Sequence, residues 1–154
     1  FYVLAQVAGA FTGSVLVWLS YRNHFEITED TGAKLAIFST GPAIRHPLNN
    51  LISETIATTI FLFLVLLIIS PTNSLGALDA LPVALVVLAI GLSLGGTTGY
   101  AINPARDLGP RIAHAVLPIG VKGSSDWRYA WVPITGPVLG AALASLLYMA
   151  IGLK

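Results

Sequence analysis

The sequence predicts an all-α membrane protein, in which most of the chain crosses a bilayer as long apolar helices. Of its 154 residues, 55% are hydrophobic and only 10% are charged, and the mean hydropathy is +0.81. A soluble domain carries about 25% charged residues, so lipid is the solvent that suits this chain. The formal net charge is +1 and there is no cysteine. These features give no indication of a nucleic-acid partner and exclude disulfides and zinc-thiolate sites.

Four apolar segments are long enough to span a membrane, since a bilayer core needs roughly 20 residues of helix. The predicted spans are residues 1–21, 48–70, 80–96 and 128–153. A long polar connection, 22–47, separates the first two, and a turn-rich link, 71–79, separates the next two. The sequence therefore predicts four full spans and one interruption, between the third and the fourth.

That interruption begins with "TTGYAI", residues 97–102, which follows two glycines and is predicted to be extended backbone. Asn103 and Pro104 are typical of a helix start, because asparagine is a preferred N-cap and proline suits the first helical position. An ordinary surface turn is the alternative. The helix predicted at 103–117 is too short to cross. Since non-helical backbone in lipid must be covered or line a watery cavity, we expect a re-entrant half-helix that starts near mid-membrane.

A buried helix N-terminus has an electrostatic consequence. It carries roughly half a positive charge and several unpaired N–H donors, and Arg106 in the first turn adds a permanent charge. We expect this end to repel cations, including hydronium, and to offer donors to neutral hydroxyls. The carbonyls of Thr98, Gly99, Tyr100 and Ala101 are expected to supply acceptors along the same wall. The alternative for Arg106 is an interfacial side chain that reaches lipid headgroups.

Two of the spans resemble each other. Residues 9–21 align without gaps to 136–148 and share two glycines, two leucines and a terminal tyrosine. One interpretation is a shared Gly-x-x-x-Gly packing face. The other is an internal repeat of the kind that builds many transport folds. The repeat predicts that residues 1–21 close a first repeat, 22–47 form a loop, and 48–154 form the second repeat.

The stretch "GYAINPARDLGPR", residues 99–111, resembles the second Asn-Pro-Ala signature of the aquaporin superfamily, in its glycerol-facilitator branch. The resemblance covers essentially the whole chain, from the third transmembrane helix onward, and implies an aquaporin-like bundle. That family has two such signatures and this sequence has one, so we expect the chain to be part of a longer polypeptide. The implied site comprises the pore-centre residues Asn103, Pro104 and Ala105 and the selectivity-filter residues Arg106, Tyr100 and Gly91. Water-selective members place a histidine at the Gly91 position, so glycine implies a wider filter.

The resemblance also assigns supporting roles to four polar residues. Glu54 is expected to accept hydrogen bonds from the loop before the half-helix, and Gln6 to brace the loops. Asp107 and Arg111 can pair across one helical turn and shape the backbone beside the arginine of the filter. The alternatives are a proton relay or an interfacial carboxylate for Glu54, an interior amide contact for Gln6, and a headgroup-level salt bridge for the pair.

The function that the resemblance implies is passive conduction of glycerol, other small uncharged solutes and water, with exclusion of ions and protons. It also implies a homotetramer in the cell membrane, without a cofactor, a metal or a catalytic residue. Two alternatives stay open. One is a channel mainly for water, and the other is an ion- or proton-coupled transporter with a discontinuous helix. His24, His46 and His114 lack the spacing of metal ligands.

Overall fold

A computed structural model describes residues 1–69 and 74–152, and this part of the chain is helical with short connections. In chain order its helices are α1 (Tyr2–Ser20), α2 (Arg22–Ile27), α3 (Thr31–Phe38), α4 (Pro47–Ile68), a 3-10 turn (Gly76–Leu78), α5 (Ala80–Thr98), α6 (Pro104–Val116) and α7 (Trp131–Ala150).

By length and composition, four of the described helices can cross a membrane: α1, α4, α5 with its preceding 3-10 turn, and α7. The four predicted spans are therefore confirmed, with ends that differ by a few residues. The first residues of the predicted link 71–79, and the C-terminal ends of the spans predicted at 48–70 and 128–153, lie outside the described residues. Helix α6 has 13 residues, which is about 20 Å and too short to span.

The Asn-Pro start of the half-helix is confirmed. Asn103 is the N-cap of α6, its Oδ1 accepts a hydrogen bond from the Ala105 N–H at 2.9 Å, and Pro104 is the first helical residue. Helix α4 begins in a similar way, with His46 as the N-cap and Pro47 at the first position. In both cases a side chain satisfies an orphan N–H, and proline occupies a position where its missing N–H costs nothing.

The long connection between α1 and α4 contains two short helices that the sequence analysis did not predict. Asp30 caps α3, since its Oδ1 accepts from the N–H groups of Gly32 at 2.7 Å and Ala33 at 3.1 Å. Phe25 of α2 and Phe38 of α3 pack their rings 5.6 Å apart in a small core with residues of α6. The connection between α1 and α4 therefore packs against the half-helix α6.

Glycine residues let α7 and α6 pack closely against neighbouring helices. An ideal Cβ at Gly140 of α7 would lie 2.6 Å from the Thr58 Cβ of α4, and one at Gly136 would lie 2.6 Å from the Glu54 Cβ. An ideal Cβ at Gly109 of α6 would lie 2.7 Å from a carbonyl oxygen of α1. Only hydrogen fits at these contacts, so helix α7 lies directly on α4, and α6 lies directly on α1.

Candidate functional site

The backbone between α5 and α6 turns through left-handed conformations. Helix α5 continues to Thr98, after which Gly99, Tyr100 and Ile102 have φ values of 77°, 40° and 43°. The predicted extended backbone over 97–102 is therefore wrong. A left-handed glycine is a common way to end a helix, whereas left-handed tyrosine and isoleucine cost of order 1–3 kcal/mol each. Contacts from elsewhere in the fold have to hold them.

Glu54 of α4 supplies those contacts. Its side chain is 0% exposed. One carboxylate oxygen accepts from the Thr98 hydroxyl at 2.5 Å and the Ala101 N–H at 2.9 Å, and the other accepts from the Ile102 N–H at 3.0 Å. Three donors compensate for removing the carboxylate from water. This geometry does not fit an interfacial carboxylate, and it ties the turn before the half-helix to α4.

Two of the predicted carbonyl acceptors are buried. Thr98 is 1% exposed and Ala101 is 0% exposed, while Gly99 remains partly exposed. The carbonyls of Thr98 and Ala101 are therefore not open acceptors along the wall beside Arg106, contrary to the sequence-based expectation. Both residues are held in the interior by the buried carboxylate of Glu54, to which the Thr98 hydroxyl and the Ala101 N–H donate.

The Tyr100 ring lies on the glycine face of α5. An ideal Cβ at Gly91 would lie 3.1 Å from the ring Cζ, and one at Gly95 would lie 2.8 Å from the ring Cδ1. The sequence analysis missed Gly95, which makes the tighter of the two approaches. Any side chain at Gly91 would press on the ring, so the two predicted filter residues are in direct contact.

The N-terminus of the half-helix opens onto a cavity of about 500 Å³. Asn103, Ala105 and Arg106 line it, and Arg106 Nη1 donates to the Phe38 carbonyl at 3.3 Å. Its other lining residues are Gln6, Gly9, Ala10, Gly13, Ser14, Val17, Ile37, Phe38 and Pro110. The cavity therefore combines charged and amide donors with walls of small and apolar side chains. Tyr100 and Gly91 do not line it.

A second cavity, of about 270 Å³, adjoins Asn103 and Gln6 from the side of α4 and α7. Because these two residues line both cavities, they lie where the cavities meet. The Asn103 Oδ1 accepts from its own helix, which leaves the side-chain NH₂ donors for other partners. The Gln6 side chain is exposed and makes no hydrogen bond within residues 1–69 and 74–152, so the predicted bracing contact is not present there.

Asp107 and Arg111 form a buried ion pair at 2.7 Å, with both side chains 0% exposed. All five guanidinium N–H groups of Arg111 are used: they donate to both Asp107 oxygens and to the carbonyls of Thr40, Ser125 and Asp126. The pair is therefore enclosed by protein groups from α6 and from the segments that carry Thr40, Ser125 and Asp126. A fully satisfied buried pair is expensive to disturb, since moving one partner leaves the other uncompensated.

Further contacts join the connection between α1 and α4 to the one between α6 and α7, and none of them was predicted from the sequence. Arg45 donates to both oxygens of Asp126, at 2.6 and 3.3 Å, and lies 5.4 Å from the Tyr129 ring centroid. The hydrogen bond to Asp126 raises the pKa of Arg45. Lys34 is 2% exposed and donates to the Gly120 carbonyl at 2.5 Å. Each pair joins residues about 80 or more positions apart in the sequence, and no local pattern in the sequence marks such a pair.

A bundle of apolar helices with a half-length helix that starts at a cavity beside the long helix α1 is typical of a membrane protein with a re-entrant segment. The particular family follows from the sequence model that matches residues 1–148, and the chain belongs to that family, the major intrinsic proteins. The prediction of an all-α, aquaporin-like membrane fold is confirmed.

The relatives include two bacterial facilitators and one solved structure. The chain is 56% identical over 147 residues to glycerol uptake facilitator protein 3 of Lactiplantibacillus plantarum, covering 96% of this chain and 61% of that protein. It is 53% identical over 149 residues to the glycerol uptake facilitator protein of Bacillus subtilis, with coverage of 97% and 54%. The aquaglyceroporin from Plasmodium falciparum aligns with a TM-score of 0.80 at 27% identity, over 98% of this chain and 63% of that one. The chain thus spans less than two thirds of each relative.

Proposed function

We propose that this chain contributes half or more of a passive channel for glycerol, other small uncharged solutes and water. The channel excludes ions and protons, and it acts in the cell membrane as a homotetramer. The relatives named above as glycerol facilitators, at 53% to 56% identity, support the solute class. In this proposal residues 1–21 close a first repeat, and residues 48–154 form the second.

The observation that carries the proposal is the composition of the cavity beside Arg106. Donors from Asn103 and Arg106 are available at the start of the half-helix, and helix α1 contributes Gly9, Ala10, Gly13 and Val17. Glycerol is polar along its hydroxyls and apolar along its carbons. Hydrogen bonds from the donors replace lost hydration, and the small apolar side chains accept the carbon skeleton.

Exclusion of cations follows from the same residues. The half-helix directs its positive end toward the cavity, and the Arg106 guanidinium adds a permanent charge within one turn of it. A cation that enters gives up hydration and meets repulsion, whereas a neutral solute gives up hydration and meets donors. The same field disfavours hydronium, and this supports conduction without proton coupling.

The test is solute flux into proteoliposomes that contain the chain together with any sequence that flanks it in its gene. We expect swelling in glycerol and in water, no proton current, and no accumulation of glycerol above its external concentration. Water flux without glycerol flux indicates the water-channel alternative. Accumulation against a gradient indicates the coupled-transporter alternative, and either result overturns the proposal.

A substitution at Gly91 tests the filter directly. Gly91→His places a side chain against the Tyr100 ring, so we expect glycerol flux to fall more than water flux. Gly96→His is the matched control on the same helix, because an ideal Cβ at Gly96 meets nothing within 4 Å. Equal loss of both fluxes in the Gly91 variant contradicts the size-filter assignment.

A further inference from the structure

Thr40 has every one of its polar groups bound to the buried Asp107–Arg111 pair. Its N–H and its hydroxyl both donate to Asp107 Oδ2 at 2.8 Å, and its carbonyl accepts from Arg111 Nη2 at 3.0 Å. The residue is 6% exposed. It lies in the short segment between α3 and α4, outside any helix, so these three bonds determine where the segment runs.

The segment 38–43, which we call the strap, touches two elements that border the proposed passage. On one side, the Phe38 carbonyl accepts from Arg106 Nη1. On the other side, the Ala43 N–H donates to the Thr97 carbonyl at 3.0 Å, and the Thr40 side chain lies 3.4 Å from an ideal Cβ at Gly99. The strap thus spans from the arginine of the filter to the turn that carries Tyr100.

We propose that Thr40 is a positioning residue that sets the width of the solute passage, an inference that rests on the channel function proposed above. The Asp107–Arg111 pair is fixed in position, because moving either partner would leave the other as an unpaired buried charge. The hydrogen bonds of Thr40 to this pair fix the position of the strap. The strap in turn contacts the Arg106 guanidinium on one side and the Gly99 turn on the other. Within residues 1–69 and 74–152 the Arg106 guanidinium makes one hydrogen bond, to the Phe38 carbonyl at 3.3 Å, so its position depends on where the strap holds that carbonyl.

The decisive variant is Thr40→Val, which keeps the shape of the side chain and removes one of the donors to Asp107. We expect the passage to become less sharply defined. The ratio of erythritol to glycerol permeability then rises at least threefold, while water permeability stays within twofold of the wild type. Thr40→Ser restores the hydroxyl and is expected to keep the wild-type ratio. All measurements use proteoliposomes with the chain and any flanking sequence.

Thr59→Val is the matched control. The Thr59 hydroxyl donates to the Thr55 carbonyl of α4 at 2.7 Å and to the Gly140 carbonyl of α7 at 3.3 Å, and neither partner belongs to the strap. This variant removes a hydroxyl without touching the filter, so its permeability ratio is expected to equal that of the wild type. If Thr40→Val does not reach the membrane, Thr40→Cys, with a weaker donor of similar size, is measured by the same ratio.

An unchanged ratio in the Thr40 variant, or the same change in the Thr59 variant, overturns the inference. So does a Thr40→Ser ratio that matches Thr40→Val. A wild-type protein that passes no glycerol is a different result, because it contradicts the proposed function itself. The wild-type measurement therefore separates the two failures before any variant is compared.

Discussion

Helices α1 and α7 carry the same glycine spacing in different surroundings. In α7, Gly136 and Gly140 lie against α4 so closely that an ideal Cβ at either would be 2.6 Å from a side-chain carbon. In α1, an ideal Cβ at Gly9 or Gly13 meets nothing within 4 Å, and both residues line the cavity beside Arg106. One pair of glycines makes a helix contact, and the other leaves open space.

The difference shows what a Gly-x-x-x-Gly pattern does and does not specify. The pattern makes a smooth stripe on which another backbone can lie closely. It does not say which helix lies there, or whether any does. Helix α1 uses a neighbouring face to hold the half-helix, where Val7, Ala10 and Phe11 come within 3.0 Å of an ideal Cβ at Gly109. In the described residues, its glycine stripe faces the proposed passage.

The largest expected effect on stability comes from replacing a glycine of α7 with leucine, compared with the same replacement in α1. Gly140→Leu forces a side chain into the contact with Thr58 and the α4 backbone, so we expect a loss of about 3 kcal/mol or more in stability, the upper range for overpacking. Gly13→Leu enters open space and is expected to change stability little. Thermal unfolding of the two purified variants in detergent, beside the wild type, measures the contrast.

Equal destabilisation by both leucines would break this comparison. It would mean that a helix outside the described residues covers the Gly9–Gly13 stripe in the assembled protein. Solute flux tests the position of Gly13 separately: because Gly13 lines the cavity beside Arg106, a Gly13→Leu variant that stays folded is expected to pass less glycerol than the wild type.

Glu54 has the next largest expected effect, because it links the α4–α7 contact to the turn before the half-helix. Glu54→Gln replaces one accepting oxygen with an NH₂ group that faces buried donors, and each unmet donor costs about 1–3 kcal/mol. We expect a lower unfolding temperature together with reduced glycerol flux. A Gln variant with wild-type stability and flux would show that the left-handed turn does not depend on the carboxylate.

Gln6→Leu tests whether a polar side chain of α1 affects solute flux without contributing to stability. The Gln6 side chain is exposed and makes no hydrogen bond within the described residues, so removal of its amide is expected to change stability by less than about 0.5 kcal/mol. Because the residue lies where the two cavities meet, we expect glycerol flux to change nonetheless. Unfolding and flux measured on the same preparation check this split, and a large loss of stability would contradict it.

The smallest effect is expected at the exposed ion pairs near the ends of the two helices. Arg45–Asp126 joins two loops beside α7, whereas Arg22–Glu26 lies within α2 after α1, with the arginine 5.6 Å from the Trp18 ring. Surface pairs contribute about 0–1 kcal/mol. We expect Arg45→Gln to cost more than the matched Arg22→Gln, and added salt to reduce the difference. Unfolding temperatures at two ionic strengths measure it, and equal costs would show that bridging two loops adds nothing.

Much of the fold was readable from local patterns. Apolar length predicted the four spans, and Asn103-Pro104 predicted the start of the half-helix, because capping depends on neighbours within a few residues. The backbone of 97–102 was not readable in the same way. Its left-handed turn is held by Glu54, which is 47 residues from Ala101 in the sequence, and no local pattern reports a partner at that distance.

The residues of the candidate site likewise fall into those that a local motif predicts and those that only distant contacts place there. The identities of Asn103, Arg106, Asp107 and Arg111 were evident from one short stretch of the sequence. Thr40 was not, because a threonine in a polar connection has no distinguishing pattern, and its partner Asp107 is 67 residues away. The burial of the Thr98 and Ala101 carbonyls also escaped prediction, since it depends on where the carboxylate of Glu54 comes to lie.

By itself, the sequence determined that lipid surrounds this protein and how many membrane-spanning helices its described part contains. It also determined that a half-helix begins with a positively charged N-terminus. Hydropathy and capping depend on neighbouring residues, which the sequence shows directly. Within the described residues, the tertiary structure decided that the glycines of α7 are packed against α4 while those of α1 line a cavity. It also decided which polar groups are exposed beside Arg106. Both depend on contacts between distant segments, where sterics and the cost of burying unpaired charge select one arrangement.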